Sequence, residues 1–111
     1  MPQLTLRGIT PQQAAQASRI LAPELAALLN CPEDYFTFDC LTVTSFLGGE
    51  PAATAPFIDL LWFDRGKELQ DQTAVRITEA FRQVGVENLE ICFRASARGD
   101  YYGDGVSYDQ G

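Results

Sequence analysis

At 111 residues and 46% apolar, the chain suits one folded domain whose small core would gain from self-assembly. Eight basic residues against 15 acidic ones give a formal charge of −7. That balance excludes nucleic acid as a partner and disfavours anionic membrane surfaces, both of which need clustered Lys and Arg. The absence of histidine removes the imidazole base, the Ser/His/Asp and Cys/His arrangements and most zinc sites.

Pro2 stands behind Met1 at the head of a strand in which Leu4 and Leu6 alternate with Gln3, Thr5 and Arg7. Ordinary processing clips a methionine that precedes proline, and Pro2 would then begin the chain with a secondary amine. Such a nitrogen has a lone pair, whereas an internal proline nitrogen is an amide without useful basicity. A free α-amine titrates near about 8, and an apolar pocket draws that value toward neutrality. Pro2 therefore reads in two ways. It is a general base at the chain start, or it merely opens an edge strand where a missing N–H costs nothing.

Thr10-Pro11-Gln12-Gln13 announces a helix, with Thr10 as cap, Pro11 at the first helical position and Gln13 closing a capping box. Ala14, Ala17, Leu21, Leu25 and Leu28 form its apolar stripe, to about Leu29, and Pro23 is expected to kink or divide it. A long second strand follows from Phe36 to Phe46. Phe36, Phe38 and Cys40 lie on one face of it, with Thr37, Asp39, Leu41 and Val43 on the other. Residues from Gly48 to Pro56 are loop chemistry. Phe57 to Phe63 is apolar on both faces apart from Asp59, the pattern of a strand covered on each side. A second helix is expected from about Glu68 to Val84, facing Ala74, Ile77, Phe81 and Val84 inward and stopped by Gly85. Leu89, Ile91 and Phe93 mark a fourth strand. The tail from Arg98 to Gly111 carries no core pattern.

The order β-α-β-β-α-β divides into two similar halves, about 2–46 and 56–96, with a tail at 97–111. The expected fold is α+β, a two-layer sandwich of duplicated β-α-β units with both helices on one face of a four-stranded mixed sheet. A ferredoxin-like fold has the same element order. The doubly apolar third strand and the paired Pro-initiated halves favour the duplicated arrangement. The opposite sheet face is expected to be apolar and to need a second subunit as cover.

Three cysteines, Cys31, Cys40 and Cys92, are too few and too scattered for a disulfide framework, and Cys40 and Cys92 read as small buried hydrophobes. No leader pattern and no apolar run of about 18 residues are seen, so a cytoplasmic chain with no membrane partner is expected. Neither cofactor nor metal is expected. Asp39 and Asp59 read better as interface carboxylates than as an acid/base pair.

Several segments, taken together, carry a resemblance. They are Met1-Pro2, Cys31-Pro32-Glu33-Asp34-Tyr35, Phe36-Thr37-Phe38 and Phe46-Leu47-Gly48-Gly49. Leu61-Trp62-Phe63-Asp64-Arg65-Gly66-Lys67, Gln70-Asp71-Gln72 and Tyr101-Tyr102-Gly103-Asp104-Gly105 complete the set. In this order the chain resembles the tautomerase/macrophage migration inhibitory factor superfamily, and more closely a small bacterial branch known only as a domain of unknown function. The resemblance implies a homotrimer acting on a small-molecule carboxylate or carbonyl ligand, with Pro2 as the catalytic base. It places Arg65 at the end of the third strand as a carboxylate clamp, joined by Arg94 from the same or a neighbouring chain. Lys67 would lie beside the pocket, with surface solvation its ordinary alternative. Tyr101, Tyr102 and Tyr108 would close over the pocket or pack across a neighbouring subunit. Glu90 and Cys92 stand where the superfamily places a tyrosine and an asparagine, and Cys31 where it places a lysine. Three functions remain open: a tautomerase-like isomerase of 2-oxo or enol acids, a non-catalytic oligomeric binding or structural protein, and a ligand sensor whose interface pocket binds a metabolite without turning it over.

Overall fold

The computed structural model describes residues 2–109. Strand β1 (Gln3–Arg7) buries Leu4 and Leu6 and turns Gln3, Thr5 and Arg7 to the other face. Helix α1 (Pro11–Leu29) begins on the expected box: the Thr10 hydroxyl accepts from the Gln13 N–H, and the Gln13 amide oxygen accepts from the Thr10 N–H at 3.0 Å. Two otherwise orphaned donors are satisfied at once. Thr10→Ala should therefore cost about 1 kcal/mol, read as a lower urea midpoint with an unchanged slope. An unshifted midpoint would show that the cap contributes nothing.

Ala14, Ala17, Leu21, Leu25 and Leu29 form the buried stripe of α1, and Leu28 sits half-buried at its flank. Pro23 does not divide the helix, which runs as one element through it. The carbonyl freed by the missing N–H belongs to Arg19, one turn back; both residues are exposed, so water can satisfy it. Helix α2 (Lys67–Gln83) buries Thr73, Ile77, Ala80 and Phe81, while Ala74 and, just beyond it, Val84 lie at the edge of the stripe.

Strands β2 (Thr37–Cys40), β5 (Phe57–Trp62) and β6 (Glu90–Ala95) complete the sheet in the order β2-β1-β5-β6. The pairs β1/β2 and β5/β6 are parallel, and β1/β5 is antiparallel. Each helix thus joins two neighbouring strands, which rejects the split βαβ arrangement of a ferredoxin-like fold. The protein is α+β, with a four-stranded mixed sheet and two helices packed on it and on each other.

The long second strand is not continuous. It leaves the sheet after Cys40, because β1, its only partner there, ends at Arg7 and turns at Gly8. Ser45–Leu47 (β3), at the end of the expected second strand, then pairs with Glu50–Ala52 (β4), inside the region read as loop, in a hairpin. Gly48 and Gly49, with φ of 59° and 80°, supply the two left-handed positions that a tight two-residue hairpin demands.

The uncovered sheet face is also more polar than expected. Its rows read Thr37–Gln3–Leu61–Arg94, Asp39–Thr5–Asp59–Cys92 and Arg7–Phe57–Glu90. Phe57 and Leu61 are its apolar members, and the Arg7 guanidinium covers the Phe57 ring at 4.8 Å. Strand β5 is accordingly buried on the helix side and half-buried on the other. The tail is ordered by aromatic contacts: a turn at Arg98–Asp100 leads into the hairpin β7 (Tyr102–Gly103) and β8 (Val106–Ser107). Phe63, Tyr101 and Tyr108 pack together with ring centroids 4.9–5.8 Å apart. Among the described residues, no helix is long and apolar enough to cross a membrane.

Candidate functional site

A cleft of about 530 Å³ opens where β1 and β2 begin and β5 ends. The turn before β2 contributes Asp34 and Tyr35, β2 contributes Thr37, the exit of β5 contributes Phe63 and Arg65, and the tail contributes Arg98 and Tyr108. A second hollow, of about 260 Å³, lies at the other end of β1 around Gly8, Ile9, Cys40 and Leu41 and is lined by no charged residue.

Pro2 is fully buried, and its carbonyl accepts from the Thr37 N–H at 3.3 Å, which ties the head of β1 to the cleft wall. The next residue is anchored as well, since Gln3 Nε2 donates to the Tyr101 hydroxyl at 2.6 Å. Arg65 enters the cleft half-buried. Its Nη1 donates to the Leu29 carbonyl at 3.2 Å, at the negative end of the α1 dipole. Its Nε is buried without a protein partner.

Of the other residues named from sequence, Tyr108 lines the cleft, and Arg94, Lys67, Glu90, Cys92 and Tyr102 lie outside it within one protomer. Arg94 is on β6, exposed, and bonded to Asp59 at 3.0 Å on the uncovered sheet face. Between Thr37 and Arg94 runs a full four-strand row, three spacings or roughly 14 Å. Glu90 and Cys92 project from the same face of β6, and both are exposed. Cys92 is therefore not a buried hydrophobe, because its side of β6 faces away from the helices. Cys40 is on the helix side, half-buried, with its thiol 3.2 Å from the Ile9 carbonyl. Lys67 opens α2 and pairs with Asp71 at 3.1 Å, both well exposed. Tyr102 is 63% exposed, whereas Tyr101 and Tyr108 turn into the aromatic cluster.

Arg98 was not singled out from the sequence. Its guanidinium lies 4.5 Å from the centroid of the Phe63 ring, a cation–π contact on the cleft wall. Nothing periodic marks the tail, and the one available cue was chemical, an arginine between small residues just past the last strand. No group of three or more His, Cys, Asp or Glu side chains among the described residues is placed to hold a metal.

Over residues 1–107 the chain matches the family described as a domain of unknown function, DUF1904. The chain belongs to that family. A crystal structure of a DUF1904 domain from Sebaldella termitidis is 34% identical, covers 96% of this chain and 99% of its own, and has a TM-score of 0.88. More distant structures share the DUF1904 fold. A fused 4-OT, wild type, described as an asymmetric trimer, is 14% identical over 97% of both chains with a TM-score of 0.80. A macrophage migration inhibitory factor-like protein from Entamoeba histolytica is 19% identical, covering 96% of this chain and 97% of its own, with a TM-score of 0.72. The DUF1904 chain therefore has the fold of the tautomerase/MIF superfamily. Among curated proteins none matches it.

Proposed function

We propose that this DUF1904 protein is a tautomerase-like isomerase of small anionic 2-oxo or enol acids, with Pro2 as its base once Met1 is removed. The observation that carries the reading is the placement of Pro2. It is buried at the head of β1 and bonded to Thr37 of the cleft that also holds Arg65. A buried secondary amine favours its neutral form, which is the form a base needs. The amine would take the enol O–H proton and return a proton to the adjacent carbon, so the isomerisation balances without any co-reactant. Arg65 would hold the substrate carboxylate.

A homotrimer, the state described for the fused 4-OT relative, would cover the polar sheet face. A neighbouring subunit would then be the source of Arg94, and of Lys67, Glu90, Cys92 or Tyr102 where these reach a ligand. The second reading, an oligomeric binding protein without catalysis, is favoured by the absence of Pro2 from the residues that line the cleft.

Two measurements separate them. Intact mass of the untagged protein should lack the methionine, and the same sample should convert the enol of phenylpyruvate to its keto form. The rate should rise with pH as the Pro2 amine loses its proton, because only the neutral amine accepts one. A retained methionine would make Pro2 an amide and end the isomerase reading. Stabilisation by phenylpyruvate without turnover would favour the binding protein.

A further inference from the structure

We propose that Arg98 is a ligand-contacting residue of the cleft and makes it select ligands with two anionic groups over ligands with one. The proposal rests on the cleft being the ligand site, and it stands independently of whether Pro2 is a base.

The argument starts from charge. In a chain carrying 15 acidic residues, arginines are expected to be neutralised by neighbours. The ion pairs among the described residues are Lys67–Asp71 and Arg94–Asp59, so, like Arg7, Arg19, Arg76 and Arg82, neither Arg65 nor Arg98 has a described carboxylate within 4.0 Å. Both nevertheless line one cleft, with Asp34 the single acid there. Two unneutralised guanidinium groups facing a common space repel each other unless an anion lies between them. A concave wall concentrates that field.

Arg98 is also held in place. Its side chain rests on Phe63, and Phe63 is wedged against Tyr101 and Tyr108. The turn that carries it is clamped by the buried Ser107 hydroxyl, which lies 3.3 Å from the Gly99 carbonyl and 2.5 Å from the Asp109 carboxylate. The Tyr108 N–H donates to the Tyr101 carbonyl at 2.9 Å and closes the tail on itself. A guanidinium stacked on a ring keeps its N–H edge free, the edge that recognises a carboxylate. Arg65 and Arg98 come from different elements and bring two positive charges to one cleft, which favours a ligand with two anionic groups over a ligand with one.

Calorimetric titration with 2-oxoglutarate and with 2-oxopentanoate, which differ by one carboxylate, tests this on the full chain. The unaltered protein should bind 2-oxoglutarate at least about tenfold more tightly, the scale of one charge-assisted hydrogen bond. Arg98→Gln should weaken 2-oxoglutarate binding far more than 2-oxopentanoate binding and so abolish that preference, while Arg98→Lys should keep part of it. Equal binding of the two acids by the unaltered protein, or binding of neither, overturns the proposal. A preference that persists in a folded Arg98→Gln protein, while Arg65→Gln removes all binding, overturns the role of Arg98 alone. Full binding by Arg65→Gln places the ligand elsewhere and overturns the cleft itself.

Discussion

Pro2→Ala should lower kcat/KM for enol-to-keto conversion about a hundredfold, the lower end of what a positioned general base supplies. The lower end is expected because alanine still leaves an amine, a primary one, at the processed terminus. What disappears is the ring that fixes the nitrogen's direction and gives it secondary-amine basicity. The loss amounts to about 2.7 kcal/mol of barrier and should fall mainly on kcat, since proton transfer is a transition-state event. The ring is fully buried, so removing two methylenes should also cost roughly 1.5 kcal/mol of stability. Rates must therefore be compared well below the melting transition. An unchanged kcat in a protein whose mass shows alanine at the first position would remove Pro2 from the chemistry.

Gly8→Ala should be the most damaging small substitution in the fold. Gly8 has φ of +70°, which alanine adopts only with strain, and a Cβ there would lie 2.5 Å from the Ala55 carbonyl oxygen and 2.6 Å from that of Thr54. Both obstacles are backbone, so no side chain can swing aside. Relief requires parting the end of β1 from the segment that feeds β5, the two central strands of the sheet. We expect a loss of about 3 kcal/mol or more, and a melting midpoint lower by at least about 10 °C. Gly48→Ala is the control. Gly48 has φ of +59° with nothing within 4 Å of its would-be Cβ, so its substitution should cost only the backbone term, about 1 kcal/mol. Equal losses from the two variants would mean that the close approach at Gly8 carries no energy.

Much of the candidate site was legible in the chain. Arg65 was marked by position and chemistry and lines the cleft, and Pro2, marked the same way, is buried behind it with its carbonyl bonded to Thr37 of the cleft wall. Arg94 and Glu90 share the face of β6 turned from the helices with Cys92, which had read as a buried hydrophobe, and the width of the sheet separates all three from the cleft within a protomer. Arg98 was missed because a cation–π contact between residues 63 and 98 leaves no trace in periodicity.

Local physics decided the elements from the sequence alone. A capping box needs only four consecutive residues, a stripe such as Ala14, Ala17, Leu21 and Leu25 needs only a 3.6-residue period, and the alternation of Leu4 and Leu6 needs only a pleat. The tertiary structure alone decided which strands are neighbours, where β2 loses its partner, and that the tail folds back on Phe63. Each of those depends on contacts between residues far apart in the chain. Pairing ends where the partner strand ends, and Arg98 meets the Phe63 ring only once the tail has folded back.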